Sequence, residues 1–85
     1  MMNVQDVLKE VVCQFAELPC VSSEILPATN LEIDLGYDSI SFIKLIIEIE
    51  EKFEIQFPDE YLDYEIVSNF QSLEEVVKTI ILGEE

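Results

Sequence analysis

One pair of neighbours in this sequence could take part in chemistry: Asp38-Ser39, within the stretch Asp34-Leu35-Gly36-Tyr37-Asp38-Ser39-Ile40. A serine hydroxyl becomes a nucleophile when an adjacent base removes its proton and a third group orients that base. The chain has no histidine, and Lys44, five positions on, falls on another arc of the helix predicted here. The acids are numerous, but nothing singles out an acid–base pair among them. The chain does not read as an enzyme, and no residue is assigned a catalytic role. Taken alone, Ser39 reads equally well as an ordinary first-turn or capping serine.

Metal chemistry fares no better. Two cysteines without histidine make a zinc site improbable. The run Asn30-Leu31-Glu32-Ile33-Asp34-Leu35-Gly36 spaces its oxygens like a calcium loop. Counted from Asn30, however, Gly36 falls one place late and Ser41 stands where the closing glutamate belongs. No metal site is expected. Cys13 and Cys20, if both helical, would lie roughly 10 Å apart along the axis, too far to bridge. They read as reduced thiols of a cytoplasmic protein.

Composition narrows the partners. Nineteen acids against four basic residues leave a formal net charge of -15. Nucleic acid and anionic membrane surfaces are disfavoured, because both are bound through clustered Lys and Arg. A basic protein surface is the natural complement. No signal peptide and no apolar run of membrane-spanning length is evident. The 85 residues are expected to form one domain, residues 1–85, with one modest core, acting as a monomer.

The elements that must position Asp38-Ser39 are helices. Val4, Val7, Leu8, Val11, Val12, Phe15 and Leu18 repeat at helical spacing, predicting a helix over 4–18 capped by Asn3 and closed by Pro19. Residues 19–37 form a long loop, with Leu26, Leu31, Ile33 and Leu35 available to pin it to the core. A second helix runs from Ser39 to Phe53. Its predicted polar arc carries Ser41, Lys44, Glu48, Glu51 and Lys52, opposite a buried arc of Phe42, Ile46, Ile49 and Phe53. Ile40 and Ile47 fall beside the polar arc as an exposed apolar strip. A short helical segment is expected within 60–69. Ser72 and Glu75 read as a capping box opening the last helix, whose face is Leu73, Val76, Val77, Ile80 and Ile81 and which Gly83 ends. The fold class is all-α: a small four-helix bundle of three main helices and one short one, with a long loop between helices 1 and 2.

The heptapeptide from Asp34 to Ile40, the apolar helix behind it, and the stretch Glu48–Glu60 with its Phe57-Pro58-Asp59 turn together resemble the acyl and peptidyl carrier protein family. The resemblance runs in order over about residues 4–82. It implies that Ser39 carries 4'-phosphopantetheine, transferred from coenzyme A by a phosphopantetheinyl transferase. On the same mapping Asp38 matches the acid that helps hold the transferase's metal ion, while Leu35 and Gly36 shape the approach. Ile40, Ile43, Ile47 and Glu51 match positions that partner enzymes recognise, and Lys44 lies among them. The implied function is to hold acyl, aminoacyl or peptidyl groups as thioesters and present them to loading and processing enzymes. Ser41 and Lys44 stand where fatty-acid-synthesis carriers have acids, and Ile40 replaces a leucine. These departures favour a discrete carrier of polyketide or nonribosomal-peptide type; a fatty acid synthesis carrier and an unmodified helical interaction module are the alternatives.

Overall fold

Asn3 starts the first helix as expected. In the computed structural model, which describes residues 3–83, its side-chain oxygen accepts the Asp6 amide at 2.8 Å and opens α1, Val4–Gln14. The helix stops four residues short of the predicted end because the next amides find tertiary partners. Glu17 and Leu18 donate to the Leu35 carbonyl at 3.0 and 3.1 Å instead of to α1. Leu18 is half-exposed in consequence.

This early stop overturns the reading of the cysteines. Only Cys13 is helical; the chain folds back over 15–20 and brings the two Cα atoms to 5.3 Å, within disulfide reach, and the cysteines are bonded to each other. The expectation of free, reduced thiols is thereby corrected.

The long loop contains two elements, a 3₁₀ turn at Ser22–Glu24 and the five-residue α2, Leu31–Leu35. Asn30 caps α2 by accepting the Ile33 amide, and its own amide donates to the Asp34 carboxylate, both at 2.8 Å. Leu31 and Leu35 reach the core as expected, whereas Leu26 and Ile33 are exposed and Ile25 packs inward in their place. The start of α2 is laced to the region before the last helix. Leu31 N–H donates to Ser68 and Phe70 N–H to Thr29, with an isolated bridge between Asn30 and Asn69.

The second main helix, α3, spans Ser39–Phe53. Its orientation differs from the predicted arcs by a modest rotation. Ser41, Phe42, Leu45 and Ile49 face the interior. Ser41, read as polar-arc, is buried, and Ile46, read as core, is only half-buried. Ile40 and Ile47 are exposed as expected, and Ile43 joins them. After a second 3₁₀ turn, Asp59–Tyr61, the short α4 covers Tyr64–Val67 inside the predicted 60–69 window.

The final helix, α5, spans Phe70–Leu82. Its cap is Asn69, whose side chain accepts the Ser72 amide at 2.9 Å. The predicted Ser72–Glu75 capping box is therefore not formed: Ser72 is already one turn inside the helix. Gly83 terminates α5 in the left-handed region, at φ 74°. Among the described residues the three main helices are those expected, and two short ones accompany them rather than one. Leu8, Val11 and Val12 of α1, Leu45 and Ile49 of α3, and Phe70, Leu73 and Val77 of α5 form the centre of one core. No helix among the described residues is long and apolar enough to cross a membrane.

Two comparisons check this register and this cap. Leu45→Ala should cost ~2–5 kcal/mol in urea unfolding, whereas Ile47→Ala should leave the midpoint nearly unchanged. Asn69→Ala should cost about 0.5–2 kcal/mol and Ser72→Ala distinctly less.

Candidate functional site

Ser39 is the first residue of α3, and it is exposed. The corner that puts it there is built from Gly36 and Tyr37. Gly36 adopts φ 74°, and its amide donates to the Glu32 and Leu31 carbonyls to end α2. A Cβ at this position would meet Leu18 Cγ at 3.0 Å and Glu17 Cβ at 3.2 Å, so glycine is required for both torsion and space. Tyr37 then turns inward. Its side chain is buried and its hydroxyl donates to the Val12 carbonyl of α1. Burial raises the Tyr37 phenol well above its ordinary pKa. With Tyr37 turned inward, the next two residues face solvent.

Asp38 is extended, and its carboxylate accepts the Ser41 amide at 2.8 Å, capping α3. That amide, and then the Ser41 hydroxyl, hold the Asp38 carboxyl below its ordinary pKa. Ser41 is thus explained: its small side chain turns inward beside the cap and is buried. Of the two serines at this helix start, only Ser39 is open to an outside reagent. An anion attached there would sit at the N-terminus of a 15-residue helix, where the dipole favours negative charge.

Beside Ser39 opens an apolar cleft of about 420 Å³. Phe42, Ile43, Ile46 and Ile47 of α3 form one wall, and Leu62, Tyr64 and Val67 the other. Tyr37, Phe42 and Tyr64 form an aromatic run, with ring centres 5.0 and 5.3 Å apart, that connects the corner to this cleft. Glu32 of α2 lies against the Tyr64 hydroxyl and, by hydrogen bonding, pushes its pKa up to about 12.

The residues singled out from the sequence are thereby located. Asp38, Ser39, Ile40, Ile43, Lys44 and Ile47 share the exposed start and outer face of α3, and Glu51 is exposed near its far end. Leu35 is a core residue whose carbonyl anchors the 17–18 amides, so its effect on Ser39 is through positioning. Sequence reasoning missed Tyr37 and Tyr64. A large aromatic wedged between Gly36 and Asp38 was the available signal for the first; nothing local marked the second.

Comparison with known proteins shows the family. Residues 6–80 match the family described as "Phosphopantetheine attachment site". The chain belongs to this family of carrier proteins, which are not enzymes and whose cofactor is 4'-phosphopantetheine. The "Aminoacyl carrier protein" of Agrobacterium fabrum (strain C58 / ATCC 33970) is 31% identical over 78 residues, covering 92% of this chain and 93% of that relative. An exposed hydroxyl at a helix N-terminus, next to an apolar cleft, suits the cofactor's phosphodiester linkage and its long arm.

The cap carries a pH signature. Because the folded-state pKa of Asp38 is lowered, its contribution to stability is present above the unfolded-state value of about 3.9 and is lost as pH falls through the folded value. The Asp38 carboxyl should therefore titrate by NMR at lower pH than ordinary aspartates. Asp38→Asn should keep most of the thermal stability at neutral pH, and Asp38→Ala should lower the Tm.

Proposed function

We propose that Ser39 is the residue that carries 4'-phosphopantetheine and that the cargo is an acyl or aminoacyl group. When bound, the group supplies a terminal thiol that holds the cargo as a thioester. The observation that carries the assignment is the contrast at the start of α3: Ser39 exposed, Ser41 buried, and Asp38 fixed just ahead of both by its cap. Ser39 has no need of a base of its own, since a transferase supplies one together with its metal ion. Asp38, kept ionised, is the acid presented to that metal, while Gly36 and Leu35 hold the corner behind it.

The Ile40, Ile43 and Ile47 strip, with Lys44 and Glu51 at its margins, is the face offered to the transferase and to loading and processing enzymes. Exposed apolar anchors of this kind carry interface energy out of proportion to their number, and rim charges mainly tune association rate. The similarity to an aminoacyl carrier protein, together with Ser41 and Lys44 in place of acids, supports specialised biosynthesis of polyketide or nonribosomal-peptide type over fatty acid synthesis. Tethering raises the cargo's effective concentration at each partner. The protein acts as a cytoplasmic monomer.

Incubation with coenzyme A, Mg²⁺ and a broad-specificity phosphopantetheinyl transferase should add one phosphopantetheinyl group to the intact protein. Ser39→Ala should abolish the mass gain while keeping the helical circular dichroism. An unmodified wild-type protein, or a modified alanine variant, would overturn the proposal.

A further inference from the structure

The Cys13–Cys20 disulfide closes a short loop that is also the scaffold behind the corner leading to Ser39. Three contacts join the two. Val12, next to Cys13, accepts the Tyr37 hydroxyl through its carbonyl. The Glu17 and Leu18 amides, inside the closed loop, donate to the Leu35 carbonyl at 3.0 and 3.1 Å. Glu17 and Leu18 side chains lie where any Cβ on Gly36 would have to go. Segment 12–18 therefore grips residues 35, 36 and 37 in turn, and Asp38-Ser39 follow directly.

The cysteines are not sealed in the core. Both cysteines are half-buried, and Cys20 lines a surface depression of about 300 Å³ with Pro19, Val21, Glu24, Asp34 and Leu35. In the cytoplasmic setting proposed above, a disulfide is typically transient or redox-sensing rather than a permanent staple.

We propose that Cys13–Cys20 is a reversible thiol–disulfide exchange site, opened by a dithiol reductant, whose state sets how firmly the Leu35–Asp38 corner is held. In the opening step one thiolate of the reductant attacks Cys20 Sγ. The sulfur–sulfur bond breaks, and Cys13 leaves as a thiolate that takes a proton from water. The second thiol of the reductant then displaces Cys20, which is protonated in turn. The protein pair has gained two electrons and two protons, and the reductant departs as its own disulfide. With the loop open, segment 15–20 regains the conformational freedom that the cross-link removed, and its grip on Leu35 and Gly36 weakens. The consequence for loading, slower modification of the reduced form, rests on the Ser39 assignment; the state of the corner does not.

The test uses the full chain, oxidised with diamide or reduced with dithiothreitol. Iodoacetamide followed by intact mass should add nothing to the oxidised protein and two groups to the reduced one; two groups on both would overturn the proposal. Hydrogen exchange is then compared at the Glu17, Leu18, Gly36 and Tyr37 amides, with Val77 in α5 as reference. Reduction should speed exchange at the four amides roughly tenfold and leave Val77 unchanged. No change at the four would overturn the proposal, as would an equal acceleration at Val77, which would make the bond a support of the whole fold. A Cys13→Ser/Cys20→Ser variant should match the reduced protein. Should that variant fail to fold, the reduced wild-type chain still decides the outcome. Failure of phosphopantetheine transfer in both redox states would count against Ser39 and leave the exchange result intact.

Discussion

The buried hydrogen bond from Tyr37 to the Val12 carbonyl is the constraint on which the site depends. A phenol placed in an apolar core without a partner would carry a desolvation cost; with a partner it becomes a directional anchor. Here the anchor fixes one residue of the α2–α3 junction against α1. Gly36, just before it, supplies the left-handed turn that no side chain could share with Leu18 and Glu17. Once those two residues are set, the directions of Asp38 and Ser39 follow from backbone geometry. Asp38 points along the α3 axis and caps it, Ser39 points out, and Ser41 points in.

The same corner organises the cleft. Tyr37 packs on Phe42, and Phe42 on Tyr64, so the junction, α3 and α4 are connected through touching aromatic rings. Glu32 of α2 raises the pKa of the Tyr64 hydroxyl. Of the residues lining the cleft, Phe42 and Val67 are buried, whereas Ile43, Ile47, Leu62 and Tyr64 are exposed. The outer surface of α3 contributes to that lining through Ile43 and Ile47. It exposes three isoleucines in a chain of net charge -15, which leaves them as an apolar strip in a strongly acidic molecule.

Much of this was legible in the residues. The three main helices, the cap at Asn3, the limits of α3 and the stop at Gly83 are local matters of periodicity and capping, and local rules found them. Two of the errors, the end of α1 and the cysteines, come from competition by a partner distant in sequence. Helical spacing continued α1 to Leu18, but the Leu35 carbonyl claimed the amides at 17 and 18. That shortening brought together two cysteines that a longer helix would have kept apart. Ser72 and Glu75 formed a plausible box, but Asn69 supplied the cap three residues earlier and tied α5 to α2 through Asn30. The predicted arcs of α3 came from the angular spread of its own side chains. In the fold the buried face lies towards Ser41 and Leu45, and Phe42 packs on Tyr37, a contact no single-helix argument contains. For the candidate site, Asp38-Ser39 and the isoleucine strip could be singled out from the sequence and are exposed, whereas the corner that aims them could not.

The central claim is that this corner leaves one hydroxyl accessible and hides its near neighbour. The most direct measurement is fragmentation mass spectrometry of the enzymatically modified protein, locating the added phosphopantetheinyl group along the chain. The account predicts the whole of the added mass on Ser39. Its appearance on Ser41, two residues along the same helix, or on Ser22 or Ser23 in the loop, would contradict it.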